Sequence, residues 1–83
     1  GPLAPYAALK MADLYLASGD YTAAARALQG ADNEDLPPAT RAEIFAALGR
    51  VYEGSGQFAS AVEQYEKATA LAARFACRNL PFL

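Results

Sequence analysis

The chain has 83 residues, with seven Lys and Arg against nine Asp and Glu, no His and one Cys. That length suits one small domain, and a net charge of −2 with a pI near 4.9 lacks the concentrated positive field that nucleic-acid binding needs. Without His, the usual general base and commonest metal ligand are missing, and the lone Cys77 has no partner for an internal disulfide.

Apolar residues make up 54% of the chain, but 21 of the 83 are Ala, so the apolar mass is thinly spread. A domain this small buries only about 60% of its unfolded surface and sits near the margin of independent stability. No stretch approaches the ~18 consecutive apolar residues of a membrane span. Gly1-Pro2-Leu3 lacks the basic-then-apolar layout of a signal peptide. Residues 1–4 read as an N-terminal extension or tag remnant, and cytoplasmic residence is the default expectation.

The first helical pattern puts Ala8, Met11, Ala12 and Tyr15 on one face at i, i+3, i+4, i+7. It ends at Ser18-Gly19-Asp20, where Gly supplies a left-handed stop and Asp20 can cap the next helix. The second pattern carries Tyr21, Ala24, Ala25, Leu28 and Ala31. An acidic connection from Asp32 to Pro38 follows, and Pro38 predicts a helix start because its missing N–H costs nothing there. Thr40-x-x-Glu43 is an alternative capping box that would move the start two or three residues later.

The third pattern carries Phe45, Leu48, Gly49 and Tyr52 and stops at Gly54-Ser55-Gly56. The fourth carries Phe58, Ala61, Val62, Tyr65, Ala68, Thr69, Ala72 and Phe75, and is expected to run to Ala76 or Arg78. Pro81 ends any helix before Leu80, leaving an apolar tail of Leu80, Phe82 and Leu83. No strand pattern appears. The fold class is all-α.

Tyr15-Leu16-Ala17-Ser18-Gly19-Asp20-Tyr21 lies over Tyr52-Glu53-Gly54-Ser55-Gly56-Gln57-Phe58 at an offset of 37. The same offset of 37 pairs Met11 with Leu48, Ala12 with Gly49, Ala24 with Ala61 and Leu28 with Tyr65. Each pair has one physical task. Ala12 and Gly49 are small so that the helices of a hairpin approach closely, with Ala24 and Ala61 as their small partners. Tyr15 and Tyr52 fill the space beside that contact, and Tyr21 and Phe58 anchor the turn.

These residues resemble the tetratricopeptide repeat family, whose pattern is an aromatic, Leu-Gly after two residues, Tyr after two more, then Ala and an aromatic four later. The second half reads Phe45, Leu48-Gly49, Tyr52, Ala61, Tyr65, and the first reads Ala8, Met11-Ala12, Tyr15, Ala24, Leu28. The offset of 37 exceeds the family's ~34 by about three residues, which fall in the Asp32–Pro38 connection. The second repeat also lacks a closing Pro near Ala73, which lets the fourth helix run long. The resemblance implies two stacked antiparallel helix–turn–helix hairpins, a four-helix fragment of a right-handed α-solenoid. The domain reading is repeat 1 over 5–36, repeat 2 over 37–78 and the tail over 79–83. A generic Ala-rich four-helix bundle would share the stripes and turns, but it has no need of position-by-position repetition.

Catalysis has no support in this sequence. Ser18, Ser55, Ser60 and Cys77 have no His to activate them. Asp32, Glu34 and Asp35 lack the alternating ligands, central Gly and terminal Glu of a calcium loop, so they read as a solvated acidic linker. Cys77 reads as a small apolar packing residue. No cofactor or metal is expected.

In stacked hairpins the first helices of successive repeats line a concave face. Once core positions are removed, that face holds Tyr6, Leu9, Asp13 and Leu16, with Glu43, Ala46, Arg50 and Glu53 from the third helix. Aromatic and aliphatic anchors beside charges of both signs suit a partner protein's peptide or amphipathic helix. The expected function is a non-enzymatic docking module within a larger scaffold or multi-subunit complex. A purely structural or self-associating segment of a longer solenoid is the alternative.

A further branch of the family grips the C-terminal carboxylate of heat-shock chaperones with a basic residue and Asn. The matching positions here are Leu9, Asp13 and Arg50, none of which fits, so chaperone docking is the weakest reading. About three repeats are usually needed to bury the apolar sides of such hairpins, and two are recognised here. Tail fold-back, end-to-end packing or helix swapping between copies, or a longer parent array would each supply cover, and self-association is favoured.

Overall fold

A computed structural model describes the backbone of residues 3–79 and the side chains of residues 3–74. Four helices follow in order: α1 (Ala4–Ser18), α2 (Tyr21–Ala31), α3 (Pro38–Gly54) and α4 (Phe58–Asn79). There is no strand among the described residues. The expected roles of the tail residues Leu80, Phe82 and Leu83, and of the Phe75 and Cys77 side chains, lie outside the described residues.

The boundaries follow from local chemistry. Gly19 takes φ 78, the left-handed region where a side chain is strained, and its N–H returns to the Leu16 carbonyl. The Asp20 carboxylate then accepts from the Ala23 N–H at 3.2 Å, satisfying one free donor of α2. The second hairpin repeats the turn's other bonds, though not the side-chain cap. Asp20 N–H to Tyr15 O is matched by Gln57 N–H to Tyr52 O, and Ser18 Oγ to Tyr15 O by Ser55 Oγ to Tyr52 O.

α3 begins at Pro38 with no side-chain cap, so the double proline sets its start and the Thr40 capping box is not used. The acidic connection is not simply solvated. The Arg41 guanidinium donates to both Asp32 carboxylate oxygens, at 2.9 and 3.2 Å, and Leu36 packs on the core. The Asp32 bond is the main cause that raises the Arg41 pKa further above its ordinary value.

The core is built from Ala12, Ala24, Leu28, Ile44, Ala47, Leu48 and Val51. Leu28, Ile44 and Val51 are its largest fully buried side chains, each contributing about 1.5–3 kcal/mol by burial. α3 contacts all three other helices, whereas α4 packs on α3 alone. Gly49 is where α3 and α4 come closest: a Cβ built there would lie 2.6–2.7 Å from the Tyr65 ring. The Phe45 ring takes the Arg41 guanidinium at 5.6 Å and the α4 Lys67 ammonium at 5.5 Å, cation–π contacts that tie α4 to α3.

Three large residues of the expected apolar faces are exposed, Met11, Phe58 and Val62, as are the smaller Thr69 and Ala72. Met11 lines an open depression beside α2 with Tyr15, Ala23 and Ala27. Phe58 and Val62 lie on the side of α4 away from α3, where α4 contacts no other helix among the described residues. On α4 the buried side chains are Ala61, Ala68 and Leu71, and Ala72 is exposed.

Candidate functional site

α1 and α3 are the first helices of the two hairpins and contact each other. Between them runs an open groove of about 360 Å³. α1 contributes Tyr6, Leu9, Lys10 and Asp13, and α3 contributes Glu43, Ala46 and Arg50. Every third or fourth residue of each helix reaches the groove, as the 3.6-residue turn requires.

The floor and walls differ in character. Leu9 is half-buried against the core, and Ala46 is half-buried opposite it, forming the apolar floor. Tyr6 is exposed at one end, with the Lys10 ammonium 5.5 Å from its ring centroid. Asp13, Arg50 and Glu43 complete a rim of alternating sign, all exposed.

Two expected members stand elsewhere. Leu16 is half-buried against the core and does not line the groove. Glu53 accepts the Tyr65 hydroxyl at 2.8 Å, which holds its carboxylate to the α3–α4 side. These two positions are equivalent at the offset of 37. Lys10 is the groove residue that face counting missed. Its position i+4 from Tyr6 was the available signal, since side chains at that spacing meet on a helix surface.

Tyr65 is pushed above the ordinary phenol pKa, first by desolvation and then by its bond to Glu53. Among the described residues no cluster of Cys, Asp or Glu is arranged to hold a metal ion. No described helix is long and apolar enough to cross a membrane. A larger depression of about 510 Å³ lies at the α1–α2 turn, lined in part by Asp20, Tyr21, Arg26 and Tyr52. The Gln29 amide donates to the Tyr52 hydroxyl there at 3.2 Å, which spends its polar groups on joining α2 to α3.

Residues 42–75 match a family model described as Tetratricopeptide repeat, covering the length from early α3 to late α4. This segment is a tetratricopeptide repeat. Four helices with a duplicated turn are consistent with two repeats. Tetratricopeptide repeats are protein–protein interaction modules, typically non-catalytic, that bind other proteins. No curated protein and no solved structure matches the chain significantly.

Proposed function

We propose that the chain is a docking module whose α1–α3 groove holds a peptide or amphipathic helix of a partner protein, within a larger scaffold or complex. The observation that carries this reading is the lining itself: Leu9 and Ala46 as an apolar floor, Tyr6 as an aromatic anchor, and Lys10, Asp13, Glu43 and Arg50 as a charged rim. An apolar floor takes one or two anchor side chains of the partner, while the rim fixes their register by charge. Both walls are helices held by the core, so the ordering cost falls mainly on the incoming segment.

The groove does not favour a bare C-terminal carboxylate. Asp13 and Glu43 stand on the same rim as Lys10 and Arg50, so no purely cationic pocket is formed.

Selection of a random peptide library on the protein, followed by binding to the double variant Tyr6→Ala, Arg50→Glu, tests the proposal. Both side chains are exposed, so the variant keeps its helical circular dichroism. Selected peptides should share an apolar stripe and lose affinity by about tenfold or more, the scale of losing one anchor. Peptides that bind wild type and variant equally would show that the groove is not the docking site.

A further inference from the structure

Five of the six exposed large hydrophobic side chains fall on two surfaces at opposite ends of the helix order. Met11 and Leu14 lie on α1 with Leu3 at its N-cap, 45, 72 and 73% exposed, and Phe58 and Val62 lie on α4, 64 and 55% exposed. Single exposed hydrophobics are ordinary, but two matched sets are not.

The match is with the molecule's own interior. α2 meets α3 through Tyr21, whose ring lies on Gly54, through Ala25 beside Val51, and through Gln29, which bonds Tyr52. At the offset of 37, Tyr21, Ala25 and Gln29 become Phe58, Val62 and Glu66. Val62 and Glu66 line a shallow, mostly apolar depression with Tyr65, Thr69 and Ala70. The other half of the internal joint recurs on α1. Ile44, Leu48, Val51 and Tyr52 become Ala7, Met11, Leu14 and Tyr15. Ile44, Leu48 and Val51 are buried, while Ala7, Met11 and Leu14 are exposed.

Among the described residues one molecule therefore displays both halves of its own internal α2–α3 joint, each without its mate. We propose that the chain associates head to tail with a second copy, α1 of one copy lying on α4 of the next as α3 lies on α2. Leu14 fills the place of Val51 against Val62, and Tyr15 stands to Glu66 as Tyr52 stands to Gln29. A carboxylate in place of the amide accepts that phenol directly. Two positions depart from the internal joint. Lys10 replaces the buried Ala47, but its stem is long enough to keep the ammonium over Tyr6. Ala17 replaces Gly54, so the Phe58 ring has to sit further out than that of Tyr21.

Because the two surfaces differ, the contact is heterologous and does not close on a dimer. The joint shares Lys10 with the groove rim, whereas Leu9, Asp13, Glu43, Ala46 and Arg50 have no place in it, so partner docking in the groove is not required for this association.

The test uses the full 83-residue chain in sedimentation velocity and light scattering over a wide concentration range. Wild type should rise past about twice the monomer mass without a plateau. Leu14→Glu blocks one face and Val62→Glu the other, and each alone should be monomeric with unchanged circular dichroism. Mixed together they retain one usable pair of faces, so they should form a 1:1 dimer that stops growing. A monomeric wild type at every concentration would overturn the proposal and leave a further repeat or the chain's own tail to cover these faces. Loss with only one of the two variants would also overturn it, pointing to a symmetric joint.

Discussion

Gly49 has no side chain because the ring opposite it leaves no room for one. A Cβ would sit 2.6–2.7 Å from three atoms of Tyr65, where ordinary contact begins near 3.4 Å. The first hairpin solves the same contact differently, with Ala12 on the first helix and Leu28 in the place of Tyr65. Ala with Leu and Gly with Tyr are thus two size-compensated versions of one joint. Gly49→Ala gains about 1 kcal/mol of helix propensity but overpacks the ring at a cost of about 1–3 kcal/mol. It should therefore destabilise the wild type in urea denaturation. In a Tyr65→Leu background the same Gly49→Ala change should become neutral or stabilising, a coupling of about 1 kcal/mol or more. Additive effects would mean that the two positions do not share this contact. Tyr65 also gives a pH dependence with a definite sign. Its folded pKa is raised above the unfolded value, so the neutral phenol is the form the fold favours. That contribution is complete below pH ~10 and is lost as pH rises through the folded pKa. Unfolding midpoints should fall on the alkaline side, and Tyr65→Phe should flatten that fall.

The helix boundaries were legible because they rest on local chemistry. Gly19 and Gly56, both at positive φ, Asp20 as a cap and Pro38 as a starter each act through neighbouring backbone atoms, which a linear sequence displays. The exposure of Met11, Phe58 and Val62 was not legible, since periodicity tells which residues share a face but not whether another helix covers it. Leu16 and Glu53 do not line the groove for a related reason: a groove spans fewer turns than the helix face that contains it. The turns also yield an element-scale prediction. Asp20 caps α2, whereas its counterpart Gln57 turns its amide toward Ser55 Oγ at 3.0 Å, and the first turn of α4 holds no acidic residue. Asp20→Ala should cost about 1 kcal/mol, and Gln57→Asp should add about 0.5–1 kcal/mol by installing the missing cap and a negative charge at a helix N-terminus. Paired denaturation curves settle both, and a destabilising Gln57→Asp would show that the second turn is not equivalent to the first.

Across the whole molecule the helices spread rather than close around one centre. The extents are 45 × 31 × 18 Å and the radius of gyration is 13.2 Å, against about 11–12 Å for a compact globule of this length. Cohesion in such a layered body is the sum of neighbour contacts, so the middle helix is held from more sides than the outer ones. α3 holds that middle place, contacting α1, α2 and α4, and Ile44, Ala47, Leu48 and Val51 are all buried. α1 buries only Pro5, Ala8 and Ala12, and α4 rests on α3 alone. Local opening of α1 or α4 therefore breaks one face of contacts, while opening of α3 breaks them all. Amide hydrogen exchange should accordingly be slowest over Ile44–Val51, intermediate in α2, and faster in the middle of α1 and over the first half of α4. If copies associate as proposed, α1 and α4 should gain protection as concentration rises while Ile44–Val51 stays unchanged. Equal protection in all four helices at low concentration would instead indicate a single cooperative unit, and the neighbour-by-neighbour account of its stability would fail.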